Sequence, residues 1–139
     1  MNDISDAFLA AIHLLVTFDA GLIEIVGLSL RISLSAVALA ALIGLPLGAA
    51  LALFKFPGRT PMIVIMNALM GLPPVVVGLV VYLFLSRSGP LGALGLLFTP
   101  TAMIVAQAIL VTPIIAALTR QVVSDLWVEY DEQLRSLGA

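Results

Sequence analysis

The sequence predicts an all-α integral membrane protein: an interfacial helix at the N-terminus, three transmembrane helices, and a polar helix on the cytoplasmic side. Three observations lead there. Of 139 residues, 62% are hydrophobic and 10% charged, with a mean hydropathy of +1.22. A soluble domain is roughly 45–50% apolar and about 25% charged, so this chain has too little polar surface to coat a globule in water. The apolar residues fall in long runs with the charges between them, and at about 20 residues per crossing the length holds three spans. The chain has no cysteine and one histidine, which excludes a disulfide scaffold, a thiolate metal site and a histidine cluster. Six basic residues spread singly in a net charge of -2 make no cationic patch for nucleic acid. No cofactor is implied.

Residues 2–19 differ from a secretory signal, because Asp3 and Asp6 stand where positive charge belongs. Ile4, Phe8, Ile12 and Leu15 share one helical side, and Asp6, Ala10, His13 and Thr17 the other, the pattern of a helix lying along the membrane surface. His13 on the polar side reads as a solvated residue. The following apolar stretch, 21–54, holds only Glu24 and Arg31 as charges before its end. It would be roughly 50 Å long as a helix, against a hydrocarbon core of about 30 Å. The span is therefore placed at 32–54, with 21–31 as an interfacial lead-in. Within it, Gly44, Pro46 and Gly48 form a small-residue cluster whose spacing allows another helix to approach closely, with a kink at the proline.

A basic turn at Lys55, Pro57, Gly58 and Arg59 precedes the second span, 62–85. This span contains Asn67 and then Gly71-Leu72-Pro73-Pro74. Two prolines remove two backbone donors, and Pro73 drives Leu72 from α geometry. Broken backbone at membrane depth needs protein or a water-filled path beside it. Gly89, Gly92 and Gly95 then mark a loop that lacks the Gly-Lys-Ser/Thr of a phosphate-binding loop. Its Leu94, Leu96, Leu97 and Phe98 are expected to dip into the interface. The third span, 100–119, carries Gln107 and Pro113. Asn67 and Gln107 are expected to face the bundle interior, since an amide facing lipid is costly. Each has a structural reading, interhelical hydrogen bonding, and a functional one, lining a transport path. Asp, Glu and His are missing from the spans, which argues against an enzyme in the membrane.

Lys55, Arg59, Arg120 and Arg135 outnumber Arg31 and Arg87 on the opposite side, which places the N-terminus outside and the C-terminus in the cytoplasm. In the final segment, 124–139, Leu126, Tyr130, Leu134 and Leu137 form one apolar stripe on an otherwise polar helix. Acidic residues early, Arg135 late and Gly138 as a stop suit a helix end. The acidic polar face is a poor match for anionic lipid, so a protein groove is the expected receptor.

Several stretches resemble a known family. Glu132-Gln133-Leu134-Arg135-Ser136-Leu137-Gly138-Ala139 is similar to the start of the Glu-Ala-Ala coupling loop of binding-protein-dependent ABC importers. Glu132 and Gly138 match in identity and spacing, whereas Gln133 and Leu134 stand where the family has alanines. Ala68-Leu69-Met70-Gly71-Leu72-Pro73-Pro74-Val75-Val76-Val77-Gly78-Leu79, then Ser86-Arg87-Ser88-Gly89-Pro90-Leu91-Gly92, and then Leu97-Phe98-Thr99-Pro100-Thr101-Ala102-Met103-Ile104-Val105-Ala106-Gln107, resemble the permease subunit of tungstate-type importers, relatives of the molybdate and sulfate permeases.

The resemblance implies part of a type I ABC importer permease in the cytoplasmic membrane of a bacterium or archaeon, taking up an oxyanion, tungstate or molybdate. ATP hydrolysis would reside in a separate ATP-binding subunit, so the chain itself is expected not to be an enzyme. The implied partners are that subunit, a second permease copy, an extracytoplasmic binding protein and membrane lipid. Leu126, Tyr130, Glu132, Leu134, Leu137 and Gly138 would couple to the ATPase; Asn67, Pro73, Pro74 and Gln107 would line the path. The family's Ile-x-Leu-Pro segment and further spans are expected beyond Ala139, making 1–139 a partial permease domain. The competing expectation is a small membrane protein that serves as an assembly or structural subunit.

Overall fold

The computed structural model describes residues 3–138, so Asn2 at the start of the expected interfacial helix and Ala139 at the end of the expected coupling helix lie outside it. All regular structure among the described residues is helical: α1 (Asp3–Thr17), α2 (Ala20–Leu53), α3 (Arg59–Met70), α4 (Pro74–Leu85) and α5 (Pro100–Ser136), with a 3-10 turn at Gly92–Leu94. By length and composition α2 and α5 can each cross a membrane, and α3 with α4 form a third candidate bent by 102° at the break between them.

The core is the contact of α2 with α5. Ile32, Ala36, Ala40, Gly44, Gly48 and Leu51 are buried along one side of α2, and Pro113, Ala116 and Ala117 along α5. Steps of four residues keep this side of α2 nearly in line, and its small side chains let the two backbones close together. The Gly44-Gly48 spacing works as expected here. A Cβ on Gly44 would lie 2.9 Å from Ile115 Cγ2, and one on Gly48 would lie 2.5 Å from the Ala116 carbonyl and 2.7 Å from Thr119 Cβ. At the other end, Leu28, Arg31 and Ile32 share a cavity with Pro100, Thr101 and Ile104. Both helices thus advance in the same direction, 32 beside 101 and 48 beside 119.

The α3 and α4 pair returns antiparallel. Arg59, at the start of α3, donates from Nε to the Leu51 carbonyl at 2.6 Å, near the end of α2. Gly78, Val81, Tyr82 and Leu85 of α4 line a cavity with Leu97, Thr99, Ala102 and Ala106 near the start of α5. The pair therefore begins at one end of the bundle and finishes at the other. The shared bundle is roughly 20 residues deep, about 30 Å, which is the thickness of a hydrocarbon core.

The break expected at the two prolines of 62–85 is present: α3 and α4 are separate helices, because Pro73 and Pro74 supply no N–H and Gly71 and Leu72 leave the helix. Other expectations change. The lead-in 21–31 and the span 32–54 are one helix of 34 residues, capped at Asp19, whose carboxylate accepts from the Leu22 N–H at 3.1 Å. That helix continues through Pro46, whose ring is exposed. The third span, 100–119, and the polar helix, 124–139, are likewise one helix of 37 residues. No glycine or proline lies between Ala117 and Ser136 to interrupt it. In the loop 86–99, Leu96 and Leu97 are half-buried while Leu94 and Phe98 are exposed. The loop closes the end of α4: the Leu91 N–H donates to the Phe84 carbonyl at 3.0 Å, and Gly89 sits against the Leu83 and Phe84 carbonyls where a Cβ would not fit.

Candidate translocation and coupling site

Two features stand apart from the packed bundle: the break in the middle of the returning pair, and the length of α5 that outruns its neighbours. Both place residues singled out in the sequence.

At the break, α3 ends at Met70, Gly71 caps it, and Pro73 and Pro74 start α4 at its N-cap and first helical position. The missing N–H of a proline costs nothing at a first helical position, where no intrahelical acceptor exists. On the α3 side the loss is real. The Gly71 N–H donates to the Ala68 carbonyl at 3.2 Å and the Leu72 N–H to Leu69 at 3.1 Å; among the described residues no backbone N–H reaches the carbonyls of Met70, Gly71 or Leu72. Pro73 and Pro74 are exposed.

Asn67 does not turn into the bundle, contrary to the sequence-based expectation. The half-buried stripe of α3 is Arg59, Ile63 and Met66, and the last turn, from Asn67 to Met70, is exposed throughout. The chain is redirected at Gly71, so no neighbouring helix covers that turn. Gln107 is half-buried on α5. Neither amide makes a side-chain hydrogen bond within the described chain, so the structural alternative of an interhelical bond is not realised there. Thr112 Oγ1 donates to the Ala108 carbonyl at 2.6 Å one residue before the buried Pro113, and Pro113 deprives the Ile109 carbonyl of its helical donor.

The second feature is the final third of α5. Every residue from Asp125 to Gly138 is exposed except Asp131, which is half-buried beside Arg135. Leu126, Tyr130, Leu134 and Leu137 are 47%, 45%, 42% and 82% exposed, an apolar stripe without a partner among the described residues. Glu132 lies on the polar side and is exposed; Gly138, at φ +83°, ends the segment in the left-handed region. Arg135 Nε lies 3.2 Å from Asp131 Oδ2, an exposed pair of one helical turn. Sequence reading missed Trp127, which is 52% exposed and lies seven residues from Leu134, hence on the same side and continuous with the stripe. That spacing was available in the sequence. Also missed was Arg59, whose bond to Leu51 spans a turn and leaves no periodic signal.

The two sets of residues singled out in the sequence are thus kept apart: Asn67, Pro73 and Pro74 lie at the break and Gln107 on α5 within the bundle, whereas Leu126 to Gly138 lie past the bundle end. The same helix carries Gln107 and the exposed apolar stripe.

A multi-pass helical membrane protein with a broken candidate crossing and a projecting polar helix is the class these features define. Comparison narrows it. The chain is 42% identical over its entire length to the tungstate uptake system permease protein TupB of Peptoclostridium acidaminophilum, covering 61% of that protein. It is 46% identical over 76% of its length to a probable anion ABC transporter permease protein of Haloferax volcanii, covering 45% of it. It is 38% identical over 91% of its length to the TupB permease of Campylobacter jejuni, covering 53%. No family model and no solved structure matches. The chain is thus similar to the permease proteins of tungstate and anion ABC transporters, and it spans about half to three-fifths of the length of these curated relatives.

Proposed function

We propose that this chain forms part of the membrane pathway of an ATP-driven oxyanion importer, with tungstate as the first candidate substrate and molybdate as the second. The observation that carries the reading is the continuity of α5: one uninterrupted helix holds Gln107 inside the bundle and the exposed stripe from Leu126 to Leu137 outside it. Displacement of the outer end is transmitted along this one helix to the wall of the pathway.

In this reading α2, the α3 and α4 pair, and α5 are three crossings, and α1 lies along the outer interface with its apolar side in the acyl boundary. The positive-inside distribution puts the projecting end of α5 in the cytoplasm. There Leu126, Tyr130, Leu134 and Leu137 seat in a groove of an ATP-binding subunit, with Glu132 and Gly138 at the family positions. A second copy of the permease completes the pathway, and an external binding protein delivers the anion and sets much of the selectivity. A divalent oxyanion crossing the bilayer needs donors without a fixed cation, which would trap it. The amide groups of Asn67 and Gln107 supply donors, and the turn at Pro73 and Pro74 keeps the path from being sealed by straight helices.

The test uses the complete permease assembled with its ATPase and binding protein. With Asn67→Leu and Gln107→Leu together, loss of two hydrogen bonds to a charged ligand, each about 1.5–3 kcal/mol, lowers tungstate uptake at least about tenfold. Normal uptake by that double variant removes both residues from the path.

A further inference from the structure

Among the described residues, the Arg59 side chain supplies a hydrogen bond between the start of α3 and the end of α2. Arg59 Nε donates to the Leu51 carbonyl at 2.6 Å, across eight residues of chain and from a part-buried position. Leu51 is 1% exposed and belongs to the last turn of α2, where main-chain carbonyls have no helical donor beyond them. The connection itself is weak in other fasteners: α3 starts at Gly58, at φ +87°, with no side-chain cap, and none of its residues is buried. The backbone adds the bonds of the Arg59 N–H to Phe56 at 3.2 Å and of the Met62 N–H to Gly58 at 3.1 Å, both within the turn and its helix.

We infer that Arg59 is a positioning residue, a latch that fixes the start of α3 to the end of α2 and so sets where the break at Gly71 to Pro74 stands against α5. The reasoning follows the lever. One end of α3 is a hinge, since the backbone ladder is interrupted there; the other is the glycine turn. A helix of 12 residues that packs on α5 with only Arg59, Ile63 and Met66 half-buried takes the register of its first turn from the bond that ties it to the rigid pair. α2 is rigid relative to α5 because Gly44 and Gly48 leave no space between them. The guanidinium bond transfers that rigidity to α3. A charged donor on a carbonyl is roughly twice as strong as a neutral one. The bland role for Arg59 is a topology charge in a basic turn, and the two roles predict different things.

These 139 residues contain no cysteine, so spin-label pairs can be placed among them in lipid nanodiscs. Labels at the exposed Val64 and Leu118 report α3 against α5; labels at Ile43 and Leu118 report α2 against α5. The latch predicts one narrow Val64 to Leu118 distance in the native chain and a visibly broadened one in Arg59→Met, with the Ile43 to Leu118 distance unchanged. Arg59→Lys restores the narrow distribution, because an ammonium also donates to the carbonyl. Arg59→Met with Thr60→Lys restores the charge of the turn but not the bond, and stays broad. The inference is overturned if Arg59→Met remains narrow, if the charge-restored variant becomes narrow, or if the α2 to α5 distance scatters as well, which would make Arg59 a support of the whole bundle. The distances require no transport, so they stand or fall separately from the proposed function. In the complete transporter, the link from latch to break adds that Arg59→Met lowers uptake per ATP hydrolysed while Arg59→Lys does not.

Discussion

At Gly48 a single added methyl decides whether the bundle closes, because its Cβ would sit 2.5 Å from the Ala116 carbonyl and 3.1 Å from the Arg120 nitrogen, both backbone atoms that no rotamer change can move. Gly48→Ala is therefore expected to destabilise the α2 and α5 contact by about 1–3 kcal/mol, the usual range for overpacking. Gly78→Ala, where a Cβ meets nothing within 4 Å, serves as the matched control. Thermal unfolding in detergent or nanodiscs should separate them by several degrees, and equal melting would mean that the helices do not meet at Gly48. The exposed pair of Arg135 and Asp131 is a contrasting case. Asp131→Asn is expected to change stability by no more than about 0.5 kcal/mol, since an exposed pair of this kind is screened by water and salt. A larger effect would show that α5 is covered there by more than solvent.

Among the elements, α3 and α4 owe their separation to two prolines in series. Pro73→Ala with Pro74→Ala restores two backbone donors for the Leu69 and Met70 carbonyls and removes the clash that holds Leu72 out of the helix. The expected outcome is a straighter pair, seen as a longer distance between labels at Val64 and Leu79, accompanied by reduced uptake in the complete transporter. An unchanged distance would place the origin of the 102° bend in packing against α5 instead. For α5, the outer stripe is expected to be a docking surface: Leu134→Glu puts a charge among Leu126, Trp127 and Tyr130 and should abolish co-purification of the ATP-binding subunit. Helicity of the isolated permease should remain, because that end of the helix is exposed apart from Asp131. Retained co-purification would remove the stripe from the interface.

For the whole molecule, orientation joins the separate features. The bundle is about as deep as a hydrocarbon core, α2 overhangs at one end through its first turns and α5 overhangs at the other, so each long helix contributes one crossing and one projecting arm. A cysteine at Ser136 is expected to react with an impermeant thiol reagent only after cells are opened. Labelling of intact cells would reverse the topology and with it the assignment of α5 to an ATPase.

Much of this was legible in the chain alone. Composition dictated the solvent, because a chain with one charged residue in ten cannot cover itself in water. The runs between charges marked the candidate crossings, the spacing of Gly44 and Gly48 announced a close helix contact, and the order of Leu126, Tyr130, Leu134 and Leu137 announced an apolar stripe. Local patterns of this kind reflect the period of one helix and are carried by near neighbours. Partners and continuity were decided by the tertiary structure. Which helix meets Gly48, whether Asn67 turns inward, and how Arg59 reaches Leu51 depend on where distant segments cross, and periodicity carries no such information. The same holds for α5, where span and polar tail, divided in the sequence by their composition, are one rod because the backbone ladder runs unbroken through the change of polarity. A side chain's solvent can change along a helix without the helix ending, and here that physical independence joins the membrane bundle to its projecting arm.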